Sequence, residues 1–220
     1  MKKFNKGQKY NTDGSIEDQY EWGSKDLVLK NLLGIKNKEE MDQLEYQEQL
    51  RALDDLIKIY GMSHRFTEKD VCRIHKVWLG RIYSWAGQYR HVNMTKNGFT
   101  FAGARVIPDL MQNFEKEILT KFTPCHFKTF NEIIHALAVV HAEFVLIHPF
   151  REGNGRLGRL LVILMGLQAQ LPPLDFGELV GEKRQEYFRA VRAGLDKNYE
   201  PMEKVFTLVV RGTRKKVNQR

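Results

Sequence analysis

Two apolar stretches, residues 134–147 and 157–171, are joined by a short polar segment, and that junction constrains the fold more than any other feature of the chain. The first stretch reads as a helix over residues 129–147. Thr129-Phe130-Asn131-Glu132 has the form of a capping box, and Pro149 disfavours helical backbone at the residue before it. In the second stretch Leu157, Leu160, Leu161, Leu164 and Met165 recur at helical spacing and form one apolar stripe. Helices with such faces must bury them against other elements. The expectation is an all-α protein built around these two helices.

The rest of the pattern agrees. A short helix is expected over residues 26–33, stopped by Gly34. A long one is expected over 38–60, with Met41, Leu44, Leu50, Leu53, Leu56 and Ile57 on its apolar face. Thr67-Glu68-Lys69-Asp70 is a second capping box, opening a helix through Val71, Ile74, Val77 and Trp78. Residues 92–95 and 99–102 alternate around Lys96-Asn97-Gly98, and Asn-Gly is a strong hairpin signal. Further helices are expected over 108–119, 177–193 and 201–210. That makes a bundle of about eight helices with one β-hairpin. Two strands cannot bury a core alone, so the hairpin must lean on the helices and is a candidate for a task other than stability. Residues 1–24 read as a polar arm, 25–211 as one domain and 212–220 as a basic tail.

The net charge of +8 in 220 residues invites a nucleic-acid reading until it is located. Lys2, Lys3, Lys6 and Lys9 at one end, and Arg211, Arg214, Lys215, Lys216 and Arg220 at the other, account for all of it, leaving the body close to neutral. Solvated tails explain this better than a basic binding face, so nucleic acid is not an expected partner. Cys72 and Cys125 suggest neither a disulfide framework nor a zinc site. The N-terminal residues lack the apolar stretch of a signal peptide. The two most apolar windows are interrupted by polar residues and read as too short to cross a bilayer. A cytoplasmic protein is expected, with export as an effector also open.

The junction itself reads HPFREGNGRLGR, from His148 to Arg159. A helix starting near Asn154 would point its N-terminus, with unpaired N–H groups and the positive end of its dipole, at the loop. Gly153 and Gly155 permit close backbone approach to a ligand. Asn154 can cap the helix and donate to an oxygen. Arg156 and Arg159 share a face of the first turn, where guanidinium forks suit phosphate. Together these residues make a polyphosphate cradle, and no G-x-x-x-x-G-K-[ST] loop occurs in the chain. Glu152 beside bound phosphates calls for a cation between them, and Mg²⁺ suits one carboxylate plus phosphate oxygens. His148 can take a proton from a hydroxyl, although bound phosphates and the preceding helix terminus would raise its pKa. Phe150 and Pro149 read as structural. His135 and His141 lack helical zinc-ligand pairing and read as packed histidines.

The segment resembles the signature of the Fic (Fido) family, His-x-Phe-x-[Asp/Glu]-Gly-Asn-Gly-Arg-x-x-Arg, at every specified position. The resemblance extends to Leu29-Lys30-Asn31, Leu33-Gly34-Ile35, Trp85-Ala86-Gly87, the hairpin and Tyr187-Phe188. It implies a protein adenylyltransferase that moves AMP from ATP to a Ser, Thr or Tyr hydroxyl of a target protein and releases pyrophosphate. His148 would be the general base and Glu152 the Mg²⁺ ligand. Arg151, Glu152, Gly153, Asn154, Gly155, Arg156 and Arg159 would bind the nucleotide, with both motif arginines on the β- and γ-phosphates. The hairpin would be the flap that registers a target segment, with Phe99, Thr100 and Phe101 as its contact candidates; core packing is an equal reading for the two aromatics. Asn198 and Tyr199 are candidates for the adenine. Many members carry an inhibitory helix, [Ser/Thr]-x-x-x-Glu-[Gly/Asn]. Here no Ser or Thr has Glu four residues later (Ser15 has Gln19), so either a separate small antitoxin, the expected partner, supplies the helix or regulation works differently. Relatives that transfer UMP or phosphocholine, or an inactive interaction module, are the alternatives.

Overall fold

The computed structural model describes residues 19–96 and 98–219. The chain is all-α with one small hairpin. Its elements run α1 (Lys38–Ile59), α2 (Glu68–Leu79), β1 (Thr95–Lys96), β2 (Phe99–Thr100), α3 (Ile107–Asn113), a π-helical stretch (Phe114–Leu119), α4 (Thr120–Phe122), α5 (Phe130–Ile147), α6 (Asn154–Gln168), α7 (Gly181–Ala193) and α8 (Glu200–Val217). Both expected capping boxes form. Thr67 and Asp70 exchange hydrogen bonds at the start of α2, and Thr129 and Glu132 do so at the start of α5.

α5 is the central rod, packed against α6 on one side and against α7 and α8 on another. By length and hydropathy its 18 residues could cross a bilayer, contrary to the sequence expectation, but most of the helix is buried inside the bundle. Ile134, Leu137, Val140, Phe144 and Ile147 are all buried, each worth roughly 1.5–3 kcal/mol relative to exposure. α6 approaches α5 closely at Gly158, where an added Cβ would lie 3.0 Å from His141 Nδ1 and 3.2 Å from the Phe144 ring. A glycine is needed there for the helix crossing.

Expected boundaries fail in several places: α7 begins at Gly181 rather than 177, and two larger departures lie at the ends of the chain. Residues 26–33 form no helix: Lys25 and Asp26 take left-handed φ values of 57° and 60°, and Tyr20 forms an isolated antiparallel bridge with Leu29. The reason is Asn31, whose Oδ1 accepts from the N–H groups of Leu33 and Ile35 while its Nδ2 donates to the carbonyls of Leu29 and Ile35. Such local side-chain bonds give the backbone an alternative to the helical ladder. At the other end α8 passes the expected Val210 and continues to Val217, because Thr213 is buried and donates to the Val209 carbonyl. Much of the basic segment is therefore helical.

The hairpin pairs Thr95 with Thr100 and Lys96 with Phe99. Its strands are shorter than the alternation predicts, although the Phe101 N–H still reaches the Met94 carbonyl at 3.1 Å. Asn97, at the turn, lies outside the described residues.

Candidate active site

The loop between α5 and α6 brings His148 and the glycine-rich turn together. His148 ends α5 in the left-handed conformation (φ 55°, ψ 56°), and Gly153 precedes α6 at φ 83°. Between them the chain folds back on itself. Asn154 accepts from the Phe150 N–H at 2.9 Å and donates to the Phe150 carbonyl at 2.7 Å. Its amide is thus used on the loop, while Gly153 occupies the N-cap position expected of Asn154 and no side chain caps α6. A Cβ at Gly153 would meet the Trp78 ring at 2.8 Å, so the turn sits directly on α2. At Gly155 the space is open, with Arg159 Nη1 and Tyr187 Oη both 4.0 Å from the position of a Cβ.

His148 is 5% exposed. Its Nδ1 lies 3.0 Å from the Val145 carbonyl, which can only accept, so Nδ1 carries the proton and Nε2 keeps its lone pair. Burial pushes the pKa down to about 3. Arg90 and Lys96 push the same way, opposed by the Val145 carbonyl and Glu152. Desolvation therefore outweighs the upward shift expected from the end of α5, and the imidazole is neutral at physiological pH. Phe101 stacks on the ring at 3.7 Å with an interplanar angle of 20°. Phe99 packs edge-on against Phe101 at 5.1 Å. Thr100 is exposed.

The two motif arginines differ in surroundings. Arg156 is held between carboxylates, 2.6 Å from Glu45 Oε2 and 3.2 Å from Glu152 Oε1, with its guanidinium 4.8 Å above the Trp78 ring. Glu45 in turn accepts from Tyr83 Oη at 2.7 Å. Arg159 has no ion pair among the described residues. It lies over Phe176 and bonds to the Tyr187 hydroxyl, which is also 2.9 Å from His141 Nε2. Arg151 is buried.

Three residues that fix this site were missed by sequence reasoning. Arg90, 2% exposed, donates from Nε to the His148 carbonyl at 2.8 Å, from Nη2 to Ala102 at 2.6 Å and from Nη1 to Val92. Its own N–H reaches the Pro149 carbonyl at 2.9 Å. One guanidinium thereby ties the loop that follows α5 to both ends of the hairpin segment. His75 stacks on Phe150 at 4.0 Å. It accepts from the Gly87 N–H at 2.8 Å and so donates from Nε2 to the Glu152 carbonyl at 3.2 Å. Glu45, on α1, is the third. The nearest sequence signal was Trp85-Ala86-Gly87, which contains one partner of His75.

Other expected residues lie elsewhere. Tyr199 donates to Glu143 and packs against His135, and Asn198 accepts from the Glu200 N–H. Neither makes a hydrogen bond or ring contact with residues 148–159 among the described residues. His135 is 2.7 Å from Glu203. Among the described residues no group of three or more His, Cys, Asp or Glu side chains is placed to hold a metal.

Residues 65–165 match the Fic/DOC family model. The chain carries a Fic/DOC domain. It is 27% identical over 199 residues to the protein adenylyltransferase VbhT of Bartonella schoenbuchensis, covering 88% of this chain and 39% of the relative. With the protein adenylyltransferase Fic of Drosophila melanogaster it shares 28% identity over 136 residues, covering 61% and 26%. The chain thus spans well under half of these relatives. Among solved structures, the N-terminal Fic domain of a cell filamentation protein from Bartonella quintana superposes with a TM-score of 0.66 at 25% identity, over 82% of this chain and 87% of that one. The BepC protein of Bartonella tribocorum, solved with bound AMPPNP, matches the fold at 0.66 and 21% identity, over 82% and 91%.

Proposed function

We propose that this chain is a protein adenylyltransferase, transferring AMP from ATP to a Ser, Thr or Tyr hydroxyl of a target protein, with its domain spanning residues 25–211. The observation that carries this reading is the placement of the buried His148 ring. Its Nδ1–H is pinned by Val145 and it stands at the lip of an uncapped helix N-terminus bearing Arg159, which has no ion pair among the described residues. The naming of VbhT and of the Drosophila relative as protein adenylyltransferases supports the same activity.

In this mechanism His148 Nε2 removes the proton of the target hydroxyl as its oxygen attacks the α-phosphorus. The bond to the β-phosphate oxygen breaks and pyrophosphate leaves. The first-turn N–H groups of α6 and the open slot at Gly155 receive phosphate oxygens, and Arg159 neutralises the terminal phosphates. Glu152 fits a Mg²⁺ site. Glu152 would hold the ion through its carboxylate, and with no cluster of further ligands among the described residues nucleotide and water oxygens would supply the rest, as Mg²⁺ prefers. Bound there, the ion would offset phosphate charge. Arg156, already paired with Glu45 and Glu152, keeps that carboxylate in place. The hairpin aligns a target segment by adding it as a strand along its edge. A separate small antitoxin is proposed as regulator, because the inhibitory motif is not found in these 220 residues.

ATP labelled at the α- or the γ-phosphate tests the reading. Incubation with a cell lysate should transfer label to protein from the α position only, and His148→Ala should abolish the transfer. Label from γ would refute adenylylation in favour of phosphorylation.

A further inference from the structure

Arg156 and Arg159 stand on one turn of α6, yet carboxylates hold only Arg156. Arg159 is half-buried, with no ion pair among the described residues. A neutral group holds it instead. Its guanidinium bonds to the Tyr187 hydroxyl, whose oxygen must accept because arginine only donates. Burial pushes the Arg159 pKa down, and the nearby Arg156 and Arg184 push the same way, opposed by Tyr187. A desolvated cation beside other cations, with no acid to offset it, gains strongly from an arriving anion.

Tyr187, on α7, is itself anchored. Its ring is buried, and its Oη lies 2.9 Å from Nε2 of His141, on α5. His141 is buried too, edge-on to Phe206 at 5.5 Å. The Nδ1 side of its ring lies against Gly158, where an added Cβ would come within 3.0 Å. Position 158 is one that the motif leaves open, and glycine there gives the imidazole room under α6 to reach Tyr187. Three helices thus meet in one chain of contacts, from His141 through Tyr187 to Arg159. That chain ends at the open slot over Gly155, where Arg159 Nη1 and Tyr187 Oη are each 4.0 Å from the position of a Cβ.

We infer that Tyr187, anchored by His141, is the positioning residue that aims Arg159 at the terminal phosphates of the nucleotide. This rests on the phosphate cradle proposed above for α6. Arginine loses much side-chain entropy when it is fixed, so a guanidinium set in place beforehand binds an anion more tightly than a mobile one. A carboxylate would also fix it but would offset its charge. A phenol hydroxyl fixes it and leaves the whole charge for the ligand. The two motif arginines then divide the work: Arg156 steadies Glu45 and Glu152, and Arg159 meets the phosphates.

Nucleotide binding to the full chain tests this, read by isothermal titration with AMPPNP and with AMP, both in the presence of Mg²⁺. Tyr187→Phe keeps the ring and removes the hydroxyl. It should weaken AMPPNP about ten-fold and leave AMP within about two-fold. In an Arg159→Met background the same substitution should have no further effect, since the hydroxyl acts through the guanidinium. Additive losses in that cycle, an equal loss for AMP, or no loss at all would overturn the inference. If Tyr187→Phe does not fold, His141→Gln and His141→Leu decide. The glutamine amide can meet the hydroxyl and should keep the preference for AMPPNP over AMP, whereas leucine should lower it several-fold. Equal behaviour of the two overturns the inference as well. A wild-type chain that does not bind AMPPNP would sink the cradle and this inference together. Failure of α-label transfer with AMPPNP binding intact would sink adenylylation alone.

Discussion

The loop from His148 to Arg159 and the hairpin at residues 95–100 face each other across the same site, and they are built to opposite standards. In the loop, Asn154 closes the turn, His75 holds Glu152 and stacks on Phe150, Trp78 lies under Gly153, and Arg90 grips His148. The hairpin has two residue pairs, a small apolar cluster of Val92 and Met94 with Phe101, the stacking of Phe101 on His148, the Arg90 bonds to Val92 and Ala102 at its ends, and cation–aromatic contacts to α7 among its contacts. Proton transfer tolerates little misplacement, whereas a surface that takes up a strand must give way. On the function proposed above, chemistry falls to the densely bonded loop and recognition to the hairpin.

The strongest way to break that contrast is Asn154→Ala. It leaves the Phe150 N–H and carbonyl unpaired in a buried site, which costs about 2–4 kcal/mol in total. Urea denaturation should show that loss, and α-label transfer should fall by more than about a hundred-fold because the cradle no longer closes. If stability and activity survive, the loop is not held as described.

Acid should come next in size. His75, His141 and His148 are buried, with pKa values pushed down to about 4, about 3 and about 3, chiefly by burial. Unfolded, each titrates near 6.5, so between those values the unfolded chain binds more protons than the folded one. The stability these neutral rings contribute is therefore complete at pH 7 and is lost as pH falls below 6.5. By pH 5 the loss is about 2 kcal/mol per histidine. Thermal melts at pH 7 and pH 5 should differ strongly, and a flat profile would contradict the burial of the three rings.

Arg90→Met tests the connection between the two regions. Its guanidinium is a positioning group, so kcat should drop about ten- to a hundred-fold with little change in the KM for ATP. Hydrogen exchange should speed up at Val92 to Ala102. Arg90→Lys should not restore activity, since a single ammonium cannot span three carbonyls in fork geometry. A purely structural role would lower stability but leave kcat of the folded fraction intact.

How much of this was legible in the sequence follows from the range of the interactions. The capping boxes at Thr67 and Thr129, the stripe from Leu157 to Met165 and the break at Pro149 depend on residues within one or two turns, and they form as expected. The Asn31 turn defeated the helix expected over 26–33 because its amide competes with the ladder, which periodicity does not register. Arg90, His75 and Glu45 act on partners 58, 77 and more than a hundred residues away. Nothing in their local spacing announces that. The same holds for Asn198 and Tyr199, whose neighbours are set by α5 rather than by the loop.

The smallest effect is the most informative about recognition. Thr100 Oγ1 lies 3.4 Å from Thr95 Oγ1 across the hairpin, and its side chain is exposed. Removing that contact with Thr100→Ala should cost no more than about 0.5 kcal/mol. If the hairpin reads a target through backbone hydrogen bonds, the substitution leaves those donors and acceptors unchanged, and the KM for a protein target should stay within about two-fold. A larger rise in KM with kcat intact would mean that side chains of β2 read the target directly. The hairpin would then be as specified as the loop it faces.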